Sequence, residues 1–322
     1  MRAAFLTLVL IVAACGTPSA SPDRTTQPAN SSPSSDASPT GFLFDLNGHA
    51  DFYTWSGTFV RRATPTGHIT ASPDGRYYVD TEGRIWTAGG SLSGTIAQWA
   101  TASFGWSGDG DYLCGSGKDP SGHDLIYVID AQGHSREYIL SSPGAIHNVV
   151  ACSTRTDRAA VLEESGITVL SLSDGHVERT VHLASQTKPL QAGSWVVSPD
   201  VLWLAESAMR STGTVDTYVT DLGDGAVQAR VTDTLVIAFS PDGKSLVVNN
   251  QKGTKATTLN WRTGAEQWTI AGHVAMLIAH SDTSTNKVLL WISTGSTAAG
   301  TDTHDYWIVD GSGTATLFTP QN

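Results

Sequence analysis

Phe239-Ser240-Pro241-Asp242-Gly243-Lys244 decides the fold, because it lies between two mainly apolar runs, residues 236–239 and 245–248. Serine caps the first position of a tight turn, and proline fixes φ at the second. Aspartate tolerates the bridge region at the third position, and glycine accepts a left-handed conformation at the exit. The stretch therefore predicts two antiparallel strands joined by a tight turn, named here the anchor turn.

The anchor turn recurs along the chain with some drift. The further copies are Ser72-Pro73-Asp74-Gly75, Ser107-Gly108-Asp109-Gly110, residues 153–157, Ser198-Pro199-Asp200 and a faded one from Ser281-Asp282. The spacings from the first copy to the last are 35, 46, 45, 42 and 41 residues. A period near forty with strands inside each unit is typical of a β-propeller with four-stranded antiparallel blades.

A second periodic mark, a strand followed by a glycine-containing turn, predicts the hairpin between the third and fourth strand of each unit. Seven such hairpins accompany six anchor turns, and the surplus one lies at residues 41–55. We interpret it as a third and fourth strand without their partners. Seven blades with an incomplete or shared blade are favoured, because sharing strands between the termini removes exposed sheet edges. Six blades with an extra hairpin is the alternative.

The repeat resembles the WD40-like repeat of TolB-type bacterial propellers. The resemblance is carried by residues 239–244, by residues 72–76, and by Trp106-Ser107-Gly108-Asp109-Gly110 with residues 124–130. It covers residues from about 65 to 322 and departs from the eukaryotic repeat, since no Trp-Asp pair ends the third strand. It implies an all-β propeller and a protein-interaction platform, although some members are propeller domains of serine peptidases.

The composition suits such a fold and excludes some partners. The chain has 322 residues with 10 Trp, 32 Gly and 15% charged residues. Its formal net charge of −11 repels nucleic acid and offers nothing to anionic headgroups. We therefore expect no nucleic-acid partner and no membrane contact apart from a lipid anchor.

The N-terminus predicts export and lipidation. Residues 1–14 have a charged start and an apolar run too short to span a bilayer, which needs about 20 residues. Val12-Ala13-Ala14-Cys15 resembles the bacterial lipobox, in which the peptide is cut before the cysteine and that cysteine is acylated. An ordinary secretory signal is the alternative. We expect Cys15 to carry the lipid and the protein to be extracytoplasmic, anchored to the bacterial cell-envelope membrane.

Residues 15–40 are predicted to be the lipidated cysteine and a disordered Ser/Thr/Pro-rich tether. Residues 16–40 contain seven Ser, five Pro and four Thr without an aromatic residue, Val, Leu or Ile. Such a tether spans about 25–30 Å by the estimate for soft linkers. Residues 41–322 are predicted to form one propeller domain, as a monomer.

Two cysteines remain, Cys114 and Cys152, in neighbouring repeat units and in a compartment that permits disulfides. Their spacing is compatible with a disulfide and equally with two buried free thiols.

The sequence contains no motif that predicts catalysis. It lacks Gly-x-Ser-x-Gly, a phosphate-binding Gly-rich loop, His-Glu-x-x-His and Cys-x-x-Cys. The ten histidines lack metal-ligand spacing. We therefore expect no enzyme activity, cofactor or metal.

Three long polar loops between second and third strands, residues 117–124, 208–216 and 293–305, are the candidates for recognition. Tolerated solvated insertions are the alternative interpretation. The candidate contact residues are Lys118, His123, Arg210, Asp216, Asp302, His304 and Asp305.

Three functions stay open at this point. The first is a non-enzymatic, lipid-anchored propeller that binds a protein or an envelope polymer. The second is a propeller enzyme, such as a lyase, glycosidase or lactonase, with its site at the central channel. The third is a small-ligand sensor or accessory binding protein that uses the channel mouth as its pocket.

Overall fold

The protein is built from β-strands throughout the part of the chain that the structure describes. The computed structural model describes residues 41–46, 49–63, 69–97, 103–118, 121–139, 148–163, 166–183, 195–281, 284–296 and 302–320. Within these ranges no helix is long and apolar enough to cross a membrane. The predictions for residues 1–40, including lipidation of Cys15, lie outside the described residues.

The strands form seven antiparallel sheets, which are the blades of a β-propeller, so the favoured count of seven is confirmed. Blade 1 contains β1 (Gly41–Leu46), β2 (His49–Thr54) and β3 (Phe59–Arg62). Blade 2 contains β4 (Thr70–Ala71), β5 (Tyr77–Val79), β6 (Arg84–Thr87) and β7 (Leu92–Thr95). Blade 3 contains β8 (Ser103–Trp106), β9 (Tyr112–Lys118), β10 (Asp124–Asp130) and β11 (Ser135–Ile139). Blade 4 contains β12 (Asn148–Ser153), β13 (Arg158–Glu163), β14 (Gly166–Ser171) and β15 (Val177–Val181).

The last three blades follow the same plan. Blade 5 contains β16 (Trp195–Val197), β17 (Trp203–Met209), β18 (Val215–Asp221) and β19 (Val227–Val231). Blade 6 contains β20 (Thr234–Phe239), β21 (Ser245–Asn250), β22 (Lys255–Asn260) and β23 (Glu266–Ala271). Blade 7 contains β24 (His273–His280), β25 (Lys287–Ser296), β26 (Asp302–Asp310) and β27 (Ala315–Phe318).

The anchor turns join the first and second strands, as predicted, and a serine side chain holds each well-formed copy. In blade 6, Ser240 Oγ donates to Asp242 Oδ1 at 2.7 Å and accepts from the N–H of Ser245 at 2.9 Å. The Gly243 N–H closes the turn on the Ser240 carbonyl at 2.9 Å, with φ of 68°. The same bonds recur around Ser72 and Ser198. The turn chemistry proposed from sequence therefore holds.

The turn geometry persists where glycine is absent. Val201 occupies the glycine position, three residues after Ser198, with φ of 55°, and Asp157 and Asn286 directly precede β13 and β25 with φ of 58° and 48°. A β-branched residue at positive φ is uncommon, because its Cβ crowds the backbone. Val201 is nevertheless fully buried against β14 and neighbouring strands. Packing between blades therefore holds this turn in a conformation that its own sequence disfavours.

The core consists of seven apolar layers, one between each pair of neighbouring blades. Successive residues of a strand point to opposite faces, so one strand contributes to two layers. Ala159 packs towards blade 3 and Ala160 towards blade 5. This two-sided burial explains why the middle strands are apolar on both faces rather than alternating.

The ring is closed by aromatic packing between blades 7 and 1. The Phe42 ring lies 4.9 Å from Trp55 and 5.2 Å from Phe318, measured between ring centroids. Tyr53 lies 4.9 Å from Phe318 in the same cluster. Edge-to-face aromatic pairs add about 0.5–1.5 kcal/mol each beyond their buried area. In the described residues, the closing contact is therefore side-chain packing between two separate sheets, without a strand shared by the two ends of the chain.

Blade 1 corrects the interpretation of residues 41–55 as a third and fourth strand. The turn between β2 and β3 has the bonds of a third-to-fourth turn: Thr54 N–H to Thr58 O and Gly57 N–H to Thr54 O, both 2.9 Å. Asp310 and Gly313 make the equivalent bonds in blade 7. β1, β2 and β3 are therefore the second, third and fourth strands.

Asn47-Gly48 caused the error, because this dipeptide favours a hairpin between any two strands. These two residues lie outside the described part of the chain. The strand that is missing from blade 1, among the described residues, is the innermost one.

Candidate functional site

The central channel contains two adjoining cavities of about 160 and 280 Å³ at its anchor-turn end. Trp106 and His280 line both. The Trp106 indole is fixed by a hydrogen bond of 3.0 Å from Nε1 to the Thr70 carbonyl. The smaller cavity is also lined by the inner-strand residues Val150, Val196, Ile237, Ala238 and Leu277. Concave apolar surface of this kind is where proteins bind ligands and partner segments.

His280 is the single ionisable side chain among the described residues that line these two cavities. Burial lowers the pKa of its imidazole, although a hydrogen-bond contact of 3.1 Å between Nδ1 and the Ser281 carbonyl acts in the opposite direction. The imidazole is therefore neutral at physiological pH, and the described residues that line the two cavities carry no charge.

The carboxylates near the channel mouth are occupied by their own turns. Asp74 and Asp200 accept from the serines of their anchor turns. Asp109 accepts from Thr154 Oγ1 of the next blade at 2.9 Å. These acids join neighbouring turns and are not grouped around one point in the channel. In the described ranges, no three His, Cys, Asp or Glu side chains lie close enough together to hold a metal ion.

A third cavity of about 200 Å³ lies at the same end of the channel. It is lined by Asp109, Arg155, Asp200, Pro199 and Pro241, among others. Arg155 is exposed, so its guanidinium is accessible beside two carboxylates. This cavity therefore adds charged side chains next to the two cavities of the channel.

The larger cavity follows the inner edge of blade 1. Phe42 and Leu43 of β1 line it, opposite Ile69 and Thr70 of blade 2 and Ile278 of blade 7. In the described residues β1 pairs only with β2, so its other edge faces this cavity. The cavity therefore occupies the position that the innermost strand fills in the six other blades.

The loops predicted for recognition are shorter than predicted, because strands extend into all three segments. β9 extends to Lys118 and β10 begins at Asp124; β17 and β18 leave residues 210–214 between them, and β25 and β26 leave residues 297–301. The predicted bounds of these three loops are therefore wrong. Polar side chains at the ends of paired strands resembled loop composition.

Arg210 and Asp216 belong to a buried ion cluster. The Asp216 carboxylate is fully buried and accepts from Arg210 Nη2 at 2.8 Å, Arg230 Nε at 2.5 Å and the Asp233 N–H at 3.3 Å. Burial alone would raise the pKa of this carboxyl, but the bonds from Arg230, Asp233 and Arg210 outweigh it and lower the pKa. The cluster holds β18 to β19 and to the start of β20.

The other candidates lie apart from the cavities. Lys118 pairs with Asp124 at 2.6 Å, and His123 is exposed. His304 is exposed and contacts the Trp291 and Tyr306 rings at centroid distances of 5.3 and 5.5 Å. Asp305 is half-buried on β26.

Asp302 begins β26, and its side chain lies outside the described part of the structure. None of the seven candidate residues is among the described residues that line the three cavities.

Cys114 and Cys152 form a disulfide between blades 3 and 4, with Cα atoms 6.3 Å apart. Cys152 also lines the smaller cavity. The disulfide therefore fixes one wall of the channel to the neighbouring blade.

Trp106 and His280 carried no sequence signal, because only the ring closure brings their strands together.

Neither protein-family models nor curated proteins gave a match. Among solved structures, a putative TolB from Agrobacterium tumefaciens is 15% identical, covers 67% of this chain and 79% of its own, with a TM-score of 0.42.

Two further solved structures have similarly low sequence identities and TM-scores. The Cps50 (Swd1) β-propeller domain of Myceliophteria thermophila is 11% identical over 86% of this chain and 88% of its own, with a TM-score of 0.44. The dihydro-heme d1 dehydrogenase NirN is 16% identical over 87% of this chain and 64% of its own, with a TM-score of 0.47. These values are too low to carry a function across.

Proposed function

We propose that this protein is a non-enzymatic interaction module, a propeller tethered outside the cell by a lipid on Cys15, that binds a protein partner at the anchor-turn end of its channel. The observation that supports it is the character of that channel end: cavities lined mainly by apolar residues, with His280 as the single ionisable side chain among the described lining residues. Concave surfaces lined by apolar side chains bind ligands and protein segments, whereas hydrolytic and lyase chemistry needs acids or bases aimed at one point.

The proposed address rests on the sequence before the propeller. The export signal, the small residues before Cys15 and the polar residues 16–40 are the pattern of a lipoprotein with a stalk. A tether of this composition would span about 25–30 Å root-mean-square between the lipid and the propeller.

The test of the interaction is photo-crosslinking in the native envelope, from a photoreactive residue placed at Arg155, which lines the third cavity. We expect one protein to be crosslinked and identified by mass spectrometry. Leu277→Glu, which puts a charge on the channel wall, should remove that product. Met209→Glu is the matched control, because Met209 is exposed and lies at the far end of β17 from the anchor turn.

An empty crosslink profile, together with turnover of a polysaccharide or ester by the purified chain, would contradict this function. Lipidation is tested separately by labelling cells with an alkyne fatty acid. The mature chain should carry the label, and Cys15→Ser should abolish it; a labelled Cys15→Ser chain would reject the anchor.

A further inference from the structure

We infer that the open inner edge of β1 is a strand-addition site, at which an extended apolar segment of the partner pairs with β1 and completes blade 1. This inference rests on the proposed function and names the kind of partner segment that the channel takes. Strand addition gives affinity through main-chain hydrogen bonds and specificity through pockets for alternate side chains.

The first support is the shape of the gap. Each of the six complete blades has an inner strand paired with its second strand, and β1 is the second strand that lacks one among the described residues. The groove beside β1 is bounded by β4 on one side and β24 on the other, and its volume is about 280 Å³. It opens at the anchor-turn end, where Ser72 and Pro73 line it.

The second support is the direction of the free backbone groups. The Ala50 carbonyl of β2 accepts from the Ala63 N–H on the β3 side. Backbone groups alternate in direction along an antiparallel ladder. The N–H and C=O of Asp51 and Tyr53 therefore point towards β1, where they pair with Phe44 and Phe42. The N–H and C=O of Leu43, between those two, are directed at the groove. An unpaired row of this kind is a template for another strand.

The third support is the wall chemistry, which selects the side chains of the added strand. Leu43, Ile69, Trp106 and Ile278 place apolar side chains in the groove, beside the polar Thr70 and Ser72. The existing inner strands carry matching residues, as in Thr234-Leu235-Val236-Ile237-Ala238-Phe239 of β20. The groove therefore fits a segment rich in Val, Ile, Leu and Phe.

The chain's own upstream segment fits the groove poorly. The residues shortly before β1 in the sequence are Ser31-Ser32-Pro33-Ser34-Ser35-Asp36-Ala37. Proline cannot donate to a ladder, and only one of the seven is an apolar strand neighbour for the walls. A partner segment is therefore the favoured occupant, and self-completion is an outcome of the test.

The test uses the full-length chain made without lipid (Cys15→Ser) and a fluorescent peptide with the β20 sequence, Thr-Leu-Val-Ile-Ala-Phe, carrying a lysine tail. Binding is followed by fluorescence anisotropy. Two further peptides carry N-methyl groups on alternate residues: one peptide on its odd-numbered residues and the other on its even-numbered residues. Each of these two patterns is called a frame. Only one edge of an added strand faces β1, so one frame should lose at least about tenfold in affinity and the other should keep it.

The matched protein variants are Leu43→Pro and Leu43→Ala. Both remove the leucine side chain, but only proline removes the outward N–H, and proline is tolerated at an open strand edge. We expect Leu43→Pro to bind the peptide about tenfold more weakly than Leu43→Ala, with similar melting temperatures. If the two variants bind alike, or both N-methyl frames bind alike, strand addition is refuted.

If the chain binds the peptide only after residues 16–37 are deleted, its own upstream segment completes blade 1. That outcome also overturns the inference. The crosslink from Arg155 separates the two proposals. A protein captured there, whose capture is unaffected by Leu43→Pro relative to Leu43→Ala, leaves the interaction function standing and removes strand addition.

Discussion

Blades 1 and 6 differ by one strand, and the difference separates what holds the ring together from what the ring can bind. Blade 6 has four strands, and its second strand β21 pairs on both sides. Blade 1 has three described strands, and β1 pairs on one side. Both have fully apolar layers to each neighbour. Side-chain packing between blades therefore closes the ring in the described residues, and no described strand pairs with the other edge of β1.

The largest expected effect tests whether blade 1 is as firmly packed as blade 6. Phe42→Ala and Leu246→Ala each delete a side chain with at most 1% exposure. Each should lower the free energy of unfolding by about 3–5 kcal/mol, from lost burial and the cavity left behind. Urea denaturation measures both; a loss below about 1 kcal/mol for Phe42→Ala alone would mean that blade 1 does not close the ring.

The second prediction compares the aromatic packing that closes the ring with the disulfide between blades 3 and 4. Cys114 and Cys152 join blades 3 and 4 across 38 residues of sequence. Replacing both by alanine should lower the free energy of unfolding by about 2–4 kcal/mol, chiefly by freeing the unfolded chain. Denaturation of the double variant against the oxidised parent measures it. An unchanged midpoint would show that packing alone fixes this pair of blades.

The third prediction concerns Asp216, where a buried charge joins strands within blade 5. Asp216→Asn leaves Arg210 and Arg230 without their carboxylate. The loss should be about 2–3 kcal/mol at neutral pH, because both guanidinium side chains are part-exposed and can rehydrate. Because the folded-state pKa of Asp216 is lowered, its stabilisation is present above the unfolded pKa and is lost as pH falls through the folded value.

The accompanying measurement is the free energy of unfolding between pH 7 and pH 3. Asp216→Asn should differ most from the parent at neutral pH and converge with it in acid. A constant difference across that range would mean that the charge of Asp216 is not what stabilises the fold.

The fourth prediction uses pH to probe the cavities that blade 1 leaves open. His280 has a folded-state pKa below 6.5, so the fold favours its neutral form. Stability from this group is complete above pH 6.5 and decreases as pH falls towards the folded pKa. His280→Gln should flatten that part of the pH profile, with His123→Gln as a surface control. A profile that His280→Gln leaves unchanged would place the imidazole in water.

The smallest expected effect is at the anchor turn of blade 6. Gly243 has φ of 68°, and an added Cβ would meet Asp200 oxygens only at 3.5 Å or more. Gly243→Ala should therefore cost about 1 kcal/mol from the backbone conformation alone. Thermal denaturation measures it, and a loss above about 3 kcal/mol would indicate a clash that the turn geometry does not contain.

The repeat architecture was predictable from local chemistry. A serine that bonds its own aspartate and a glycine at positive φ are encoded within four residues, so the turns at Ser72 and Ser240 were found from sequence. The role of β1 was not, because Asn47-Gly48 marks a hairpin without saying which pair of strands it joins.

The site depended on contacts between distant parts of the chain. Leu43, Trp106 and His280 meet only when blade 7 packs against blade 1, and no spacing in the sequence encodes that meeting. The polar residues chosen from sequence were instead used in pairs, as Lys118 with Asp124 and Arg210 with Asp216.

Among the described residues β1 has an unpaired backbone edge where β21 has none, and amide hydrogen exchange of the free protein measures whether that edge is open. In β21 the interior amides should exchange slowly throughout, since both edges are paired. In β1 the amides should alternate, with Phe42 and Phe44 slow and Leu43 fast. A Leu43 amide that exchanges as slowly as that of Val248 would show that the edge is already filled, and would contradict an open edge on β1.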